Sequence, residues 1–297
     1  MAKRAVIVGV DDYSTQFPDG SRNLAGCVAD ASSMYYLLTQ AFGFDPSQTW
    51  YYADADASRD NVLTALRYIT SVSEPGDTAC WFYAGHGARL RADPSDPASD
   101  KYYEAIVPAS GDWISDWELS TIAGELQQSV VNFTVILDCC HAGGFHEVGP
   151  DMRRRTLDYS QDLIEAMVKF MHTVIPCGVC LPTDATVMDG NVANVQGQGN
   201  GVVCSVDDNK SLVPLSKSTV VAACRYDELD IETAGHGALT QAFLDVVDAS
   251  NFQISYRDLI DRLRAAVQAR GLTQTPTLLG QQNRMDEGFL AGWSDSA

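Results

Sequence analysis

Residues 133–144 have the sequence FTVILDCCHAGG, in which an apolar run leads directly into an acid, two cysteines, a histidine and three small residues. The unbroken run Phe133–Leu137 predicts a strand buried on both faces, because a strand exposed on one face would alternate apolar and polar residues. Similar runs are found at Ala5–Val10, Thr49–Tyr52, Ala79–Tyr83 and Ala105–Val107. Strands of this kind are typical of a mainly parallel sheet.

Helical patterns separate these strands. They lie at Asp30–Ala41, Asp60–Val72 and Asp116–Gln127. Ser115 precedes the last of them and Glu118 follows three residues later, which is the spacing of a capping box. The alternation of strands and helices predicts an α/β fold with three layers, in which helices cover both faces of the sheet.

The second half of the chain contains one stretch of different composition. Residues 184–217 are rich in Gly, Asn, Asp and Ser and predict a long loop or insertion. The flanking elements are expected to be a strand at Ser218–Cys224 and helices at Thr156–His172, Gly237–Val247 and Ser255–Arg270. A chain of 297 residues with 45% hydrophobic residues can form one large domain or two small ones. We expect residues 1–297 to form a single domain, which is the simpler arrangement.

A histidine and a cysteine follow two of the predicted strands. His86 and its neighbours Gly85 and Gly87 come directly after Ala79–Tyr83, and Cys140 follows Phe133–Leu137. Because the carboxyl ends of parallel strands meet at one edge of a sheet, both side chains are expected at the same crevice. A thiol beside an imidazole can form the thiolate that attacks a carbonyl carbon. The pair therefore predicts nucleophilic catalysis, although a core histidine and a buried thiol are the simpler alternative.

Strand alternation selects between the two adjacent cysteines. Residues two apart share one side of a strand, so Asp138 and Cys140 should point together and Cys139 should point away into the packing. We expect Cys140 to be the nucleophile. The backbone N–H groups of Gly87 and Cys140 could hold the oxyanion of a tetrahedral intermediate.

Other residues near this position offer alternatives. His141 and His146 could each be proposed as the base, but Gly87 beside His86 can also serve the oxyanion, which favours His86. Cys177 and Cys180 form a single C-x-x-C pair, and without a second pair a four-ligand zinc site is not expected.

The composition excludes several classes of partner. The formal net charge is −19, so there is no cationic surface to bind nucleic acid through its phosphates. The apolar run near Met1 is too short for a signal segment or a membrane span, and no later segment is long enough. Eight cysteines without a regular framework suggest a reducing compartment. We expect a cytoplasmic protein that is a monomer or a weak oligomer and that binds neither nucleic acid nor membrane.

The motifs resemble those of the metacaspases and orthocaspases, which are caspase-like cysteine peptidases. The histidine motif 85–87 and the cysteine motif 138–143 are separated by the spacing typical of caspases. Further similar stretches extend the resemblance over nearly the whole chain, at Arg4–Val10, Leu24–Asp30, Glu104–Pro108, Val220–Cys224, Gly235–Thr240 and Gln274–Leu278. The resemblance implies a caspase-like three-layer sandwich, with a large-subunit-like region at 1–180 and a small-subunit-like region at 218–297.

The resemblance also implies a substrate pocket. Asp30 and Asp138 would line the S1 pocket, which binds the residue before the cleaved bond, and Cys27 would lie in its wall. Two carboxylates would pair with Arg or Lys and repel the Asp that caspases accept. An alternative role for Asp30 is the N-cap of the helix that begins there.

The calcium site of the family is incomplete in this sequence. Asp116 and Glu147 lie near expected positions, whereas Tyr103 and Trp117 stand where aspartates often occur. Because Ca²⁺ needs several oxygen ligands, we expect no strong site and no required cofactor. At Ala84, many metacaspases have a serine, so one polar group of the expected pocket is lost.

The sequence therefore predicts an endopeptidase that cleaves after Arg or Lys through an acyl-enzyme thioester. It could also cut itself in its loops, at Arg155, Lys210 or Lys217. The alternatives are a catalytically inactive caspase-like interaction module and a flavodoxin-like nucleotide binder. The second is disfavoured because Asp11 and Asp12 follow the first strand where a phosphate would bind.

Overall fold

The computed structural model describes residues 1–91, 102–126, 131–139, 152–154, 186–187, 218–225, 228–233, 235–280 and 282–291. Its strands, numbered along the chain, are β1 (Lys3–Gly9), β2 (Thr49–Ala53), β3 (Thr78–Ala84), β4 (Gly87–Arg91), β5 (Tyr102–Ile106), β6 (Ile114–Ser115), β7 (Asn132–Asp138), β8 (Met152–Arg154), β9 (Thr186–Val187), β10 (Thr219–Ala222), β11 (Ile231–Thr233), β12 (His236–Gly237) and β13 (Thr277–Gly280). Its α-helices are α1 (Cys27–Gln40), α2 (Arg59–Val72), α3 (Asp116–Gly124), α4 (Ala238–Ala249) and α5 (Tyr256–Ala269).

A seven-stranded sheet with the order β2-β1-β3-β7-β10-β13-β9 forms the centre of the fold. Its strand pairs from β2 to β10 are all parallel. The last two pairs, β10 with β13 and β13 with β9, are antiparallel. The prediction of a mainly parallel sheet is confirmed, and β9 adds a short strand within the stretch that was expected to be loop.

Helices lie on both faces of this sheet. The chain runs from β1 to its neighbour β2 through α1, and then from β2 to β3, on the other side of β1, through α2. The two connections run in opposite directions across the sheet, and because both are right-handed they place α1 and α2 on opposite faces. α1 packs against α4, which contacts α5, whereas α2 packs against α3. The predicted three layers are therefore present in the described residues.

Serine side chains fix the start of three helices. Ser58 accepts a hydrogen bond from Asn61 N at α2, and Ser255 accepts one from Asp258 N at α5. Ser115 and Glu118 form the predicted capping box at α3. These caps satisfy backbone N–H groups that the first turn of a helix leaves without partners.

Two small antiparallel sheets flank the central one, in the orders β4-β5-β6 and β12-β11-β8. The predicted strand Ala105–Val107 overlaps β5, but β5 pairs antiparallel with β4 and stands outside the central sheet. The chain leaves the central sheet at β4 directly after His86 and then pairs with itself, as antiparallel neighbours can. The expectation that this strand belongs to the parallel sheet is therefore wrong.

The core lies along the middle strands. Every residue of β3 and β7 is buried, which explains their continuous apolar sequence. The predicted helix Thr156–His172 lies outside the described residues. In the described part of the chain, no helix has both the length and the apolar character needed to cross a membrane.

Candidate active site

His86 lies at the carboxyl end of β3, between β3 and β4, and is 2% exposed. Its Nε2 is 2.7 Å from the backbone oxygen of Arg22. A carbonyl oxygen can only accept, so Nε2 carries a proton and the basic nitrogen of the neutral ring is Nδ1. The fold therefore selects one tautomer of the imidazole.

The register of β3 and β7 brings the ends of the two strands together. Ala84 pairs with Asp138, and Gly85 N donates to Asp138 O at 3.5 Å. His86 comes two residues after Ala84, and Cys140 comes two residues after Asp138. Cys140 itself lies outside the described residues. The register nevertheless aligns the histidine and cysteine motifs at the same edge of adjacent strands.

Cys139 and Asp138 are both fully buried. Cys139 belongs to the hydrophobic core, as expected for a packing residue. The Asp138 carboxylate accepts hydrogen bonds from the backbone N of Thr240, at 3.1 Å, and from its hydroxyl. Two donors from the first turn of α4 thus stabilise a buried negative charge on the first residue of the cysteine motif.

Asp30 is also fully buried, and both of its oxygens accept hydrogen bonds. Oδ1 lies 2.9 Å from His236 Nδ1, and Oδ2 accepts from Gly237 N at 2.8 Å. Residues 236–240 therefore contact both acids of the predicted pocket. The alternative role of Asp30 as an N-cap is wrong, because Gly26 is the N-cap and Asp30 lies in the first turn of α1.

Two other carboxylates cap α1. Asp11 accepts hydrogen bonds from Cys27 N and Val28 N, at 2.8 and 3.2 Å. Glu232 accepts from Ala25 N and Gly26 N, at 3.0 and 3.1 Å. Negative charge at a helix N-terminus is favourable, and these bonds satisfy the N–H groups there. Cys27 is buried between them, with Sγ 3.9 Å from Glu232 Oε2.

A metal could be considered at this cap, since ligand atoms of Asp11, Cys27 and Glu232 lie within 4.8 Å of one another. The carboxylates of Asp11 and Glu232, however, accept hydrogen bonds from backbone N–H groups at the start of α1, and these bonds account for their position. For calcium, Asp116 begins α3 and Glu147 lies outside the described residues. The distance between these two carboxylates is therefore not defined by the described residues.

The remaining predicted residues fall into two groups. Gly87 is described and opens β4 directly after His86. The others lie outside the described residues: His141, His146, Arg155, Cys177, Cys180, Lys210 and Lys217. No geometry is therefore assigned to the alternative bases, the single C-x-x-C pair or the self-cleavage positions.

Sequence reasoning missed several groups of this region. Arg22 acts through a backbone oxygen, which leaves no signal in the sequence. His236 and Thr240 belong to a motif that the resemblance included, but their contacts with Asp30 and Asp138 depend on the packing of α4. The hydroxyls of Tyr13 and Tyr83 contact the His86 backbone, but nothing in the sequence distinguishes these two tyrosines from ordinary core residues.

Comparison with known proteins agrees with this architecture. The model of the caspase domain family matches residues 2–285. Metacaspase-1 of Schizosaccharomyces pombe is 26% identical over 293 residues, which cover 93% of this chain and 66% of that protein. Metacaspase-4 of Arabidopsis thaliana is 30% identical over 149 residues, which cover 48% of this chain and 34% of that protein. The chain thus spans less than two thirds of the length of these relatives.

A solved structure shares the fold. Protein GSU0716 of Geobacter sulfurreducens superposes with a TM-score of 0.72 at 18% identity, covering 99% of this chain and 100% of that chain. At this identity the likeness concerns the fold alone. The family model, by contrast, extends over nearly the whole sequence, and the histidine and cysteine motifs meet at the edge where β3 and β7 end. The chain therefore belongs to the caspase domain family, with metacaspases among its relatives.

Proposed function

We propose that this protein is a cysteine endopeptidase that cleaves after Arg or Lys, with Cys140 as nucleophile and His86 as acid and base. The observation that carries the proposal is the position of His86. Its imidazole is buried at the end of β3, its Nε2 is bonded to Arg22 O, and the adjacent strand β7 leads into Cys140. A histidine held in one tautomer beside a cysteine is the arrangement that thiol catalysis needs.

The reaction would proceed in two steps. In the first, Nδ1 of His86 takes the thiol proton and the Cys140 sulfur attacks the peptide carbonyl carbon. The C–N bond then breaks, His86 returns the proton to the leaving amine, and a thioester remains. In the second step, His86 takes a proton from water, the hydroxide attacks the thioester, and the carboxylic acid product and the thiol are released.

The negative charge on the substrate oxygen needs donors during both steps. We expect the N–H groups of Gly87 and Cys140 to fill this role, because Gly87 begins β4 directly after His86 and Cys140 carries the attacking sulfur. Backbone donors are fixed before the reaction begins, so they stabilise the developing charge without reorganisation.

Specificity for a basic residue would come from Asp30 and Asp138, with Cys27 in the pocket wall. Both carboxylates are buried and hydrogen-bonded, and two more, Asp11 and Glu232, lie at the start of α1. A guanidinium or ammonium group would neutralise this concentration of charge, whereas an acidic side chain would be repelled. The net charge of −19 would also favour approach of basic peptides at low salt.

The direct test uses reporter peptides that differ in the residue before the cleaved bond, namely Arg, Lys, citrulline or Asp. We expect hydrolysis after Arg and Lys, little after citrulline, and none after Asp. Cys140→Ala and His86→Ala should abolish hydrolysis, and an Arg chloromethylketone should label Cys140. Hydrolysis retained by Cys140→Ala, or preference for Asp, would refute the proposal. Absence of both hydrolysis and labelling would favour an inactive interaction module.

Self-processing is a second part of the proposal. Arg155, Lys210 and Lys217 are the basic residues at which we expect the enzyme to cut itself. Intact mass after incubation should show new fragments for the active protein but not for Cys140→Ala. Unchanged masses for both proteins would remove this part and leave the cleavage of added peptides unaffected.

We also propose that activity needs no cofactor. The incomplete acid set around Asp116 supports this part, since Tyr103 and Trp117 replace two of the carboxylates that a calcium ion would use there. Hydrolysis of the Arg reporter should be the same with EGTA as with added Ca²⁺. A loss of activity in EGTA that Ca²⁺ restores would contradict it.

A further inference from the structure

Two buried tyrosines form hydrogen bonds with the backbone of His86. Tyr13, in the loop that joins β1 to α1, accepts a hydrogen bond from His86 N through its hydroxyl at 2.7 Å. Tyr83, in β3, places its hydroxyl 2.8 Å from both His86 O and Val107 O. The two hydroxyls therefore contact the N–H and the C=O of the same residue.

The direction of these bonds can be assigned. Carbonyl oxygens only accept, so Tyr83 is the donor and its single proton is shared between His86 O and Val107 O. The Tyr13 oxygen already accepts from His86 N, and its proton can point to the Tyr83 oxygen, 3.4 Å away. The bonds then run from His86 N–H through Tyr13 and Tyr83 back to His86 C=O.

Both hydroxyls remain protonated across the working pH range. Burial raises the pKa of Tyr13, and also that of Tyr83, well above the usual value for tyrosine. A neutral hydroxyl can donate and accept at the same time, which the closed set of bonds requires. Tyr13 also packs its ring on the imidazole, with the centroids 4.6 Å apart.

The loop that contains Tyr13 also supplies the hydrogen-bond acceptor for Nε2 of the imidazole. Arg22, whose carbonyl oxygen contacts His86 Nε2, belongs to the same connection. Asn23, the next residue, accepts a hydrogen bond from Tyr13 N at 2.9 Å. Asn23 therefore joins the part of the loop that holds the His86 backbone to the part that holds its ring.

The tyrosines also explain a glycine of the histidine motif. A Cβ at Gly85 would lie 2.5 Å from the Tyr83 hydroxyl and 2.6 Å from the Tyr13 hydroxyl. Real Cβ atoms essentially never approach other atoms so closely, so any side chain at this position would force the two hydroxyls to shift. The space beside Gly85 is therefore filled by the two hydroxyls.

We propose that Tyr13 is a positioning residue of the peptidase, with Tyr83 as its partner. Together they fix the peptide planes on both sides of His86, so that Nδ1 is held in a single direction while Arg22 O holds Nε2. This inference rests on the proposed function of His86 as acid and base, but not on the preference for Arg or Lys. Positioning matters because small displacements of a reacting group reduce rates by large factors.

Tyr13→Phe tests the proposal because it keeps the ring and removes only the hydroxyl. We expect kcat for the best-cleaved reporter to fall about tenfold or more, with KM changed by less than about twofold, since substrate contacts are intact. Tyr83→Phe should act in the same direction and serves as a second variant if Tyr13→Phe does not fold.

Tyr256→Phe is the matched control. Tyr256 is fully buried, and its hydroxyl bonds to Asn132 Oδ1 at 2.7 Å, at the end of β7 away from Asp138. Burial raises the pKa of Tyr256 to about 12, so this hydroxyl is protonated as well. The control loses an equally buried hydroxyl and should leave kcat unchanged. Equal kcat for Tyr13→Phe and Tyr256→Phe, with an active wild type, would overturn the proposal.

Alkylation of Cys140 by iodoacetamide supplies a readout that is independent of substrate binding. In the wild type, His86 promotes the thiolate, so alkylation should reach half its maximum at lower pH than in His86→Ala. Tyr13→Phe should move this pH toward the His86→Ala value. It should have no further effect in the His86→Ala background, because its action passes through His86. An additive effect in the double variant would overturn the positioning role.

A separate measurement tests the positioning role even if the proposed function proves wrong. If the wild type hydrolyses no reporter, that function fails, but the imidazole can still be examined by ¹⁵N NMR of labelled histidine. We expect His86 to show the Nε2-protonated form in the wild type and a mixture of forms in Tyr13→Phe. An identical His86 spectrum in both proteins would overturn the proposal.

Discussion

His236 Nδ1 lies 2.9 Å from Asp30 Oδ1, and this contact joins the start of α4 to the first turn of α1. The Asp30 side chain is 0% exposed, whereas the His236 side chain is 35% exposed. The imidazole therefore forms the solvent side of the contact. Any cation that pairs with Asp30 must share the carboxylate with His236 or displace it.

The first prediction concerns Asp30. Asp30→Asn keeps an oxygen that can accept from Gly237 N but removes the negative charge. We expect KM for the Arg reporter to rise about tenfold, equivalent to about 1.4 kcal/mol, because a charged hydrogen bond to the substrate is lost. KM for a citrulline reporter, which has the same shape without the charge, should be unchanged. Steady-state kinetics with both reporters provide the measurement.

His236→Gln is the control for this experiment. It alters the same contact but leaves the Asp30 charge in place, so the preference for Arg over citrulline should persist. An equal loss for both reporters in Asp30→Asn would indicate that Asp30 supports the fold rather than the pocket.

The second prediction concerns the hydroxyl of Thr240, which donates to the buried carboxylate of Asp138. Thr240→Val has nearly the same shape but no donor. Loss of a hydrogen bond to a buried charge should lower the free energy of unfolding by about 1.5–3 kcal/mol. Urea denaturation measures this change. Thr240→Ser keeps the donor and should lose less, and an equal loss in both variants would mean that the hydrogen bond contributes no more to stability than the methyl group does.

The third prediction concerns Gly85, where a methyl group would meet the hydroxyls of Tyr13 and Tyr83. Gly85→Ala should be destabilised by about 1–3 kcal/mol, as expected for overpacking. Combining it with Tyr13→Phe and Tyr83→Phe should recover part of that loss, because the hydroxyls that collide are gone. Thermal unfolding of the variants provides the comparison.

A matched glycine is available at Gly124, the last residue of α3, where an added Cβ meets nothing within 4 Å. Gly124→Ala should be neutral or slightly stabilising, since alanine is the better helix former. If Gly85→Ala proves as harmless as Gly124→Ala, the close approach of the hydroxyls is wrong.

The fourth prediction concerns cysteine reactivity. Cys27, Cys80, Cys139 and Cys224 are all buried. Burial raises the pKa of Cys80 far above its usual value, so this thiol stays protonated even at pH 9. Brief iodoacetamide treatment of the native protein should therefore leave these four cysteines unmodified, as read by peptide mass spectrometry. Modification of Cys80 before unfolding would contradict its placement in β3.

The fifth prediction concerns Asp77 at the start of the central sheet. Burial alone would raise its pKa, but hydrogen bonds from Ala2 N, Arg4 and Glu74 N together lower the pKa below the usual value for aspartate. The Arg4 Nη1 to Asp77 Oδ2 distance is 2.7 Å. Asp77→Asn should lower the free energy of unfolding by about 1–3 kcal/mol at pH 7, since bonds to a charged group are weakened.

The pH dependence of this effect follows from the sign of the shift. A carboxyl with a lowered pKa in the folded state stabilises the fold above its unfolded pKa of about 4, and this stabilisation is lost as the pH falls through the folded pKa. The difference between wild type and Asp77→Asn should thus be constant from about pH 5 to 7 and shrink below about pH 4. A difference that stays constant down to pH 2.5 in urea unfolding would show that the charge is unimportant.

Much of the fold could be predicted from local patterns. The continuous apolar runs predicted β1, β3, β7 and β10, because strands buried on both faces cannot alternate. β2 was predicted in the same way, although it lies at the edge of the sheet and most of its residues are only half-buried. The capping box at Ser115 could also be predicted, because its Ser and Glu lie within one helical turn and depend only on local sequence. The strand at Ala105–Val107 was assigned to the wrong sheet, because pairing depends on the path of the chain after His86 and not on local composition.

The sequence by itself determined which strands end beside one another and predicted the groups that react there, because residue type and strand periodicity are local properties. Only the tertiary structure decided how those groups are held. The contacts of Arg22 O with His86, of Tyr13 with the His86 backbone, and of His236 with Asp30 join segments far apart in the chain. Such contacts depend on how loops and helices pack on the sheet, and buried polar atoms must find partners there whatever their distance in sequence.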